Sequence, residues 1–350
     1  MLPLLRFFQI LRMIYRKNRP REAKIACGIV ESPAKQLTMP RLRISVVQYL
    51  NTAPLVYGFT QGRLRGKYDL SFTVPSECAE ALRGGAVDIA IIPSIEYERI
   101  DGLVILPDIA IAAKNEVRSL LLIAKKPIEQ VQRIALDRSS RSTQALVRIL
   151  CAEHWEISPQ FFEAPPDLGK MLQAADAALL IGDPALRLSI QIEGSAVEQL
   201  DGSVGCMAAE ADVGLRDETK LFVYDVVQHW RRMTGWPAVL AVWAGRREIV
   251  TPEVVSDFLA SRDLGVEHLG DICCAAEKEL GIPAPALEDY LRNKVDFSLD
   301  RENVTGLIHY YGLCKKLNLI PEFKGIEIAA SPGTPVRYHD VIWAGKRGDS

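Results

Sequence analysis

Short, almost wholly apolar segments recur along this chain, and each is followed by a segment with helical periodicity. Residues 87–93, VDIAIIP, contain one charged residue, and residues 177–181, AALLI, contain none. Segments this apolar are typical of parallel strands that are covered by helices on both faces. The alternation predicts an α/β fold in which mainly parallel sheets are flanked by helices.

The alternation occurs as two separate series. The first series covers residues 43–93, and the second begins near residue 118 and includes the strand RIALD at 133–137. Each series has its own buried strands, which favours two lobes over one continuous sheet. Ligands of open α/β sheets bind beyond the carboxyl ends of strands, so we expect the ligand cleft between the lobes.

The order of the segments predicts the limits of these lobes. Residues 221–236 have the pattern of an amphipathic helix, and residues 251 to about 319 read as helical only. The residues before 41 and after 325 lack matching periodicity. We therefore place the first lobe at 41–111 plus 236–325, the second lobe at 112–235, a disordered extension at 1–40 and a C-terminal surface tail at 326–350.

Composition excludes several classes of function. The 350 residues carry a formal net charge of −2, so no basic field is available to bind nucleic acid or an anionic membrane. The five histidines and seven cysteines show no spacing typical of a metal site. We expect no metal and no cofactor. We also expect no membrane span, because the apolar N-terminal segment is too short and is interrupted by Arg6 and Arg12. The unpaired cysteine pattern favours a cytoplasmic location.

Polar residues follow the predicted strands where those strands end. Asn51 follows SVVQYL, Ser94 follows VDIAIIP and Asp183 follows AALLIG, while SSRST at 139–143 precedes a helix. Each of these residues could simply cap a helix. A helix start with several hydroxyls and free N–H groups is also a receptor for a carboxylate or phosphate, to which Arg138 or Arg141 could add charge.

Five segments resemble, in chain order, blocks of the chorismate dehydratase family of the futalosine route to menaquinone. They are ISVVQYLNTAPLVYGF, LRGGAVDIAIIPSIEY, IALDRSSRSTQALVRIL, ALLIGDPAL and WRRMTGWPAVLAVWAG. The resemblance runs from about Arg43 to Phe323. One departure is visible, because the family pattern SSRTS is replaced here by SSRST, which retains both hydroxyls.

This resemblance implies a type II periplasmic-binding-protein-like fold and the loss of water from chorismate to give 3-[(1-carboxyvinyl)oxy]benzoate. It implies that Asn51 and Ser94 act in catalysis. It implies substrate contacts for seven further residues, namely Tyr49, Ser139, Ser140, Ser142, Thr143, Gly182 and Asp183. The only partner implied is the small-molecule substrate, and the chain could be a monomer or a homodimer.

The base that removes the ring proton stays open at the level of sequence. Glu96 lies two residues beyond Ser94, and on a helix its side chain points away from that serine. Asp183 is one candidate for the base. The other is the enolpyruvyl carboxylate of the substrate itself, with Asn51 and Ser94 holding that side chain over the ring.

Two other functions share this fold. A transport-associated solute-binding protein would be expected to carry an export signal, which the first 40 residues do not resemble. The dihydroxynaphthoate-forming enzyme of the same pathway has a Ser-Pro-Cys-Pro-Asn-Asp type block after its first strand. This chain has Gln48-Tyr49-Leu50-Asn51 there, which favours the dehydratase.

Overall fold

A computed structural model describes residues 41–193, 198–200, 203–207, 220–329 and 336–338. The predicted extension at residues 1–40 and most of the predicted tail lie outside these residues. Among the helices in the described ranges, none combines the length and apolar character needed to cross a bilayer.

The described part of the chain contains fourteen strands and eleven α-helices. The strands are β1 Arg43–Val47, β2 Asp69–Thr73, β3 Ile89–Pro93, β4 Leu103–Ala113, β5 Leu120–Ala124, β6 Arg133–Asp137, β7 Gln160–Ala164, β8 Ala177–Ile181, β9 Glu198–Leu200, β10 Ser203–Met207, β11 Lys220–Asp225, β12 Ala238–Arg246, β13 Ile326–Ile328 and β14 Val336–Tyr338. The helices are α1 Ala53–Thr60, α2 Pro75–Arg83, α3 Ser94–Arg99, α4 Arg141–Glu153, α5 Leu168–Ala174, α6 Gly182–Glu193, α7 Val226–Thr234, α8 Pro252–Glu267, α9 Leu269–Leu280, α10 Ala284–Asp289 and α11 Arg301–Lys316. A π-helical turn, Tyr290–Lys294, follows α10.

The strands form two seven-stranded sheets. Their orders are β14-β13-β4-β12-β3-β1-β2 and β7-β6-β8-β5-β11-β10-β9. The predicted α/β class with two helix-flanked sheets is confirmed, but both sheets are mixed rather than mainly parallel. Strands β1, β2 and β3 are parallel, as are β6, β7 and β8, whereas β12 runs antiparallel to β3 and β4, and β5 runs antiparallel to β8 and β11.

The chain passes between the sheets twice. It leaves the first sheet after Ala113 and enters the second at Leu120, and it returns between Asp225 and Ala238. Asp225 joins these two crossings. Its Oδ2 atom accepts from the N–H groups of Val117 at 3.0 Å and Arg118 at 2.6 Å, and its Oδ1 atom accepts from the first turn of α7.

The prediction of a single helix over residues 221–236 is wrong for its first five residues. Residues 221–225, LFVYD, belong to β11, which pairs with β5, and the helix begins only at Val226. Phenylalanine, valine and tyrosine, three of these residues, favour a strand. Asp225 then caps the helix by accepting from Val227 and Gln228 N–H, a capping signal that the sequence contained.

The expectation that the chain lies over the surface from residue 326 is wrong for β13. Ile326 is 1% exposed and Ile328 is 8% exposed, and β13 pairs with β4 in parallel. A three-residue strand with only two apolar positions is too short to give a period-2 signal, so its pairing depends on the edge that β4 offers.

Candidate active site

Parallel pairing brings polar strand ends to one edge of each sheet. In the first sheet, β1 leads into Tyr49–Asn51 and β3 leads into Ser94. In the second sheet, β6 leads into Ser139 and β8 leads into Gly182 and Asp183. Because parallel strands end at the same edge, the predicted residues fall at these two edges, and contacts between them join the lobes.

The segment after β1 contacts the segment after β8. Leu50 N–H donates to Asp183 Oδ1 at 3.1 Å. The Tyr49 ring packs on Gly182, where an added Cβ would lie 2.8 Å from ring carbons, and Gly182 has a φ of +68°. Both the close approach and the left-handed backbone require glycine at position 182.

The side chain of Asn51 lies near the hydroxyl of Tyr290, whose pKa is raised by burial and is lowered in part by Asn51. The Tyr290 O–H donates to Ser119 Oγ at 3.0 Å, and Asn51 Oδ1 accepts from the Thr52 hydroxyl at 3.4 Å. Asn51 lies within the 3₁₀ turn Leu50–Thr52 and is not the N-cap residue of that turn or of α1. Thr52 is the N-cap residue of α1, and its side chain makes no capping hydrogen bond, which removes the simpler explanation for both residues.

Ser94 is fully buried and lies against the second lobe. Its hydroxyl donates to the carbonyl oxygen of Val239 at 2.7 Å and lies 3.1 Å from the Ser142 hydroxyl. Ser142 Oγ also accepts from Ile95 N–H at 3.1 Å, so the Ser142 hydroxyl proton points to Ser94. In this conformation, the two predicted hydroxyls bind each other across the junction.

The hydroxyls at the start of α4 are all buried. Ser140 is the N-cap residue, yet its side chain does not cap the helix and instead donates to Thr143 Oγ1 at 2.7 Å. The first N–H groups of α4 are thus not capped by this serine, which is the arrangement expected of a receptor for a carboxylate. Ser139 binds the first lobe, because its carbonyl oxygen accepts from Ser76 N–H at 3.2 Å.

Arg141 does not supply charge to this helix start. Its guanidinium pairs with Glu80 at 2.7 Å and with Glu96 at 3.0 Å, and Glu96 also pairs with Arg99 at 2.9 Å and with Arg83. Glu96 is 0% exposed. Its carboxylate pairs with these three arginines, and the ion cluster ties α4 to α2 and α3.

Asp183 is buried at the junction. Burial raises the pKa of Asp183 to about 7, and the hydrogen bond from Leu50 N–H and the charge of Arg187 oppose this shift. A carboxyl group with this pKa exchanges a proton readily near neutral pH. The position is consistent with either role predicted for Asp183, as a base or as a substrate contact.

Sequence reasoning missed two residues of this junction. Asp137 ends β6 and is 1% exposed, and the rule that selected Asn51 and Asp183, a polar residue at the end of an apolar strand, applies equally to it. Tyr290 comes from a helical region more than 100 residues away, and the sequence contains no signal that places it beside Asn51.

Among the described residues, no three histidine, cysteine, aspartate or glutamate side chains are grouped to hold a metal ion. Two polar cavities lie away from the junction. One of about 220 Å³ is next to Tyr97 and Lys324, and one of about 390 Å³ is next to Lys114 and Lys294.

Known structures establish the class of protein that this architecture represents. A protein from Archaeoglobus fulgidus superposes with a TM-score of 0.59 at 18% identity, covering 80% of this chain and 98% of that chain. The periplasmic aliphatic sulphonate binding protein from Escherichia coli superposes with a TM-score of 0.52 at 15% identity, covering 81% and 94%. The chain has the two-lobed fold of the type II periplasmic binding proteins.

The chain belongs to the menaquinone biosynthesis family, whose sequence pattern matches residues 42–316. A relative named chorismate dehydratase, from Thermus thermophilus, is 29% identical over 252 residues, covering 71% of this chain and 87% of the relative. The resemblance seen in the sequence is thereby confirmed for family and fold.

Proposed function

We propose that this protein is a chorismate dehydratase, which removes water from chorismate to form 3-[(1-carboxyvinyl)oxy]benzoate. The proposal rests above all on the junction where the strand ends of both lobes meet. Ser94 from the first lobe lies 3.1 Å from Ser142 of the second, and Leu50, next to Asn51, donates to Asp183 of the second. Membership of the menaquinone biosynthesis family and the relative named chorismate dehydratase support the same reaction.

The polarity of the junction suits a dianionic substrate. Chorismate carries two carboxylates, and one fits the start of α4, where the buried hydroxyls of Ser140 and Thr143 adjoin N–H groups. Asn51 offers an amide that can donate to a carboxylate or hydroxyl. An aspartate at this position would repel the dianion, so the amide is suited to this ligand.

Substrate entry requires the lobes to separate. The Ser94 and Ser142 hydroxyls are 3.1 Å apart, which leaves no room for a ligand between them. Closure of the lobes on the bound substrate would then exclude water from the site and bring the polar groups of both lobes into contact with the substrate. Aromatisation drives the reaction, so the reaction needs mainly an oriented ring, a proton for the leaving hydroxyl and a base for the ring proton.

The enolpyruvyl carboxylate of the substrate is our preferred base. Asp183 already binds Leu50 N–H, and this bond holds the segment that carries Asn51. We therefore assign Asp183 to positioning this segment. The sequence alternative, Asp183 as the base, makes a different prediction, because replacement by Asn would then abolish turnover.

The direct test is incubation of the purified full chain with chorismate, without added metal or nucleotide. Ultraviolet absorption and mass spectrometry should detect an aromatic product lighter than chorismate by one water. The heat-denatured protein is the control for spontaneous decay. Binding of chorismate without turnover would refute the proposal and favour a solute-binding protein.

A further inference from the structure

Asp137 is a buried carboxyl group for which the reaction outlined above has no role. Its Oδ1 atom accepts from the Ser139 N–H at 2.9 Å and from the Ser139 O–H at 2.7 Å. Its Oδ2 atom is buried and has no hydrogen-bond partner. Such an oxygen is costly to keep ionised, so the site favours the protonated form of Asp137.

Ser139 connects this carboxyl to Tyr49. The Tyr49 hydroxyl lies 3.4 Å from Ser139 Oγ. This distance is long for two hydroxyls, which usually lie about 2.7–2.8 Å apart. Catalytic hydrogen bonds are often long in the free enzyme and shorten when substrate is bound. Tyr49 lies two residues before Asn51, so the chain of hydroxyls leads from the interior of the second lobe toward the proposed reacting centre.

We propose that Asp137, Ser139 and Tyr49 form a proton relay that protonates the departing ring hydroxyl, an inference that rests on the proposed dehydratase function. As the ring C–O bond breaks, its electron pair leaves with the oxygen, which takes the Tyr49 proton. The relay operates with Asp137 protonated on Oδ1. In that form the 2.7 Å hydrogen bond to Ser139 Oγ is reversed, so that Asp137 donates to Ser139 and the Ser139 O–H turns to Tyr49. Tyr49 then takes the Ser139 proton, and Ser139 takes the Oδ1 proton of Asp137. Asp137 regains a proton from solvent, which balances the ring proton that the substrate releases, so the net products are the aromatic ether and one water.

The surroundings of Asp137 fit a proton donor. Burial raises its pKa, while the two hydrogen bonds from Ser139 and the charge of Arg138 lower it. Burial raises the pKa of the Tyr49 phenol, and the charges of Asp137 and Asp183 raise it further. Tyr49 therefore passes a proton along as a neutral phenol. Because the donor must be protonated, kcat should fall as the pH rises through the raised pKa of Asp137.

The first test is kinetic. Tyr49→Phe, Ser139→Ala and Asp137→Asn should each lower kcat about a hundredfold, a typical contribution of a general acid, with KM within about threefold of wild type. Because the three groups act in series, any double variant should be no slower than its slower parent. Asp137→Asn should also lose the alkaline fall in kcat. Multiplicative losses in the doubles, or a raised KM with kcat kept, would overturn the relay.

Matched controls come from buried residues away from the junction. Ser45 is 1% exposed and binds Cys78, and Tyr68 is 4% exposed and binds Asp257. Ser45→Ala and Tyr68→Phe should therefore keep kcat within about threefold of wild type. Thermal denaturation of every variant shows that the comparison is made between folded proteins.

The second test needs no turnover. In the ligand-free protein, ¹³C NMR of labelled aspartate follows the titration of Asp137, which should occur above the usual value of about 3.9. Ser139→Ala should raise that pKa further, because the Ser139 hydrogen bonds lower it. The relay would be refuted if the pKa of Asp137 were close to about 3.9 and did not change in Ser139→Ala. If the wild-type protein leaves chorismate unchanged, the proposed dehydratase function is refuted. If the wild-type protein turns chorismate over but the losses in kcat of the single variants multiply in the double variants, the relay alone is refuted.

Discussion

At the scale of single residues, Asn51 shows how far sequence reasoning extends. An amide after an apolar strand predicts a polar contact at the sheet edge, and the structure places Asn51 there. Its neighbour Tyr290 could not be predicted, because their proximity depends on how a distant helical region packs. The contact of Ser94 with Val239 could not be predicted for the same reason. Asp137 could have been predicted, because it is a polar residue at the end of an apolar strand.

Substitutions at Asn51 and Thr143 should affect different kinetic constants. Loss of one hydrogen bond to a charged group costs roughly 1.5–3 kcal/mol, which is about a ten- to hundredfold effect. We expect Asn51→Ala to lower kcat, Asn51→Asp to lower it further through repulsion of the substrate dianion, and Thr143→Ala to raise KM with kcat largely kept. Steady-state kinetics with chorismate measures both constants, and an unchanged kcat for Asn51→Ala would contradict this assignment.

At the scale of elements, the strand β11 and the helix α7 show where pattern reading fails. Periodicity merged the two elements into one helix, because a short apolar strand and the start of an amphipathic helix look alike in a narrow window. The boundary residue Asp225 contains the missing information. Its carboxylate accepts from four backbone N–H groups, two in α7 and two in the crossing segment at residues 117–118.

Asp225→Ala should therefore be much more destabilising than an ordinary cap deletion. Loss of a helix cap typically costs about 1 kcal/mol, and stranding buried N–H groups adds about 1–3 kcal/mol each, so we expect about 3 kcal/mol or more in the free energy of unfolding. Asp167→Ala is the matched control, because Asp167 is an exposed N-cap that accepts from one backbone N–H, that of Lys170 at 3.1 Å, and otherwise pairs with the exposed Lys170 side chain. Urea denaturation compares them, and equal losses would contradict a structural role for Asp225 at the crossings.

At the scale of the whole molecule, the two-lobed α/β fold was predictable, because buried strands and their order along the chain are local signals. The contacts between the lobes were not, since they depend on tertiary approach. Asp183 is the clearest case, as its carboxyl joins the lobes through Leu50 N–H and lies in an environment that disfavours its charge.

The stability of the closed molecule should consequently depend on pH through Asp183. The pKa of Asp183 is raised to about 7 in the folded protein from about 3.9 when unfolded. The folded state thus holds the extra proton between these values, and stability falls as the pH rises through this window. At about 1.4 kcal/mol per pKa unit, the upper limit is about 4 kcal/mol. Asp183→Asn should raise the melting temperature at pH 8 and change it little at pH 4.

Asp88→Asn provides a control of opposite sign. Arg43 hydrogen-bonds Asp88 at 2.8 Å and lowers the pKa of that carboxyl, so this substitution should lower the melting temperature at pH 8. Differential scanning fluorimetry at both pH values separates the two effects. A lower melting temperature for Asp183→Asn at pH 8 would show that the Asp183 charge is favourable in the folded state.

The two crossings of the chain also govern how the two ends of a ligand influence each other. Lobes tied at two places, with Asp225 fastening one tie to the other, have mainly a rotation left to them. A dicarboxylate held by one lobe therefore meets the second receptor at the high effective concentration of a tethered group. Most of the entropy of association is lost with the first contact and not again with the second. Under the proposed function, selectivity for a dianion over a monoanion would thus arise from the connectivity of the chain as well as from the residues that touch the ligand.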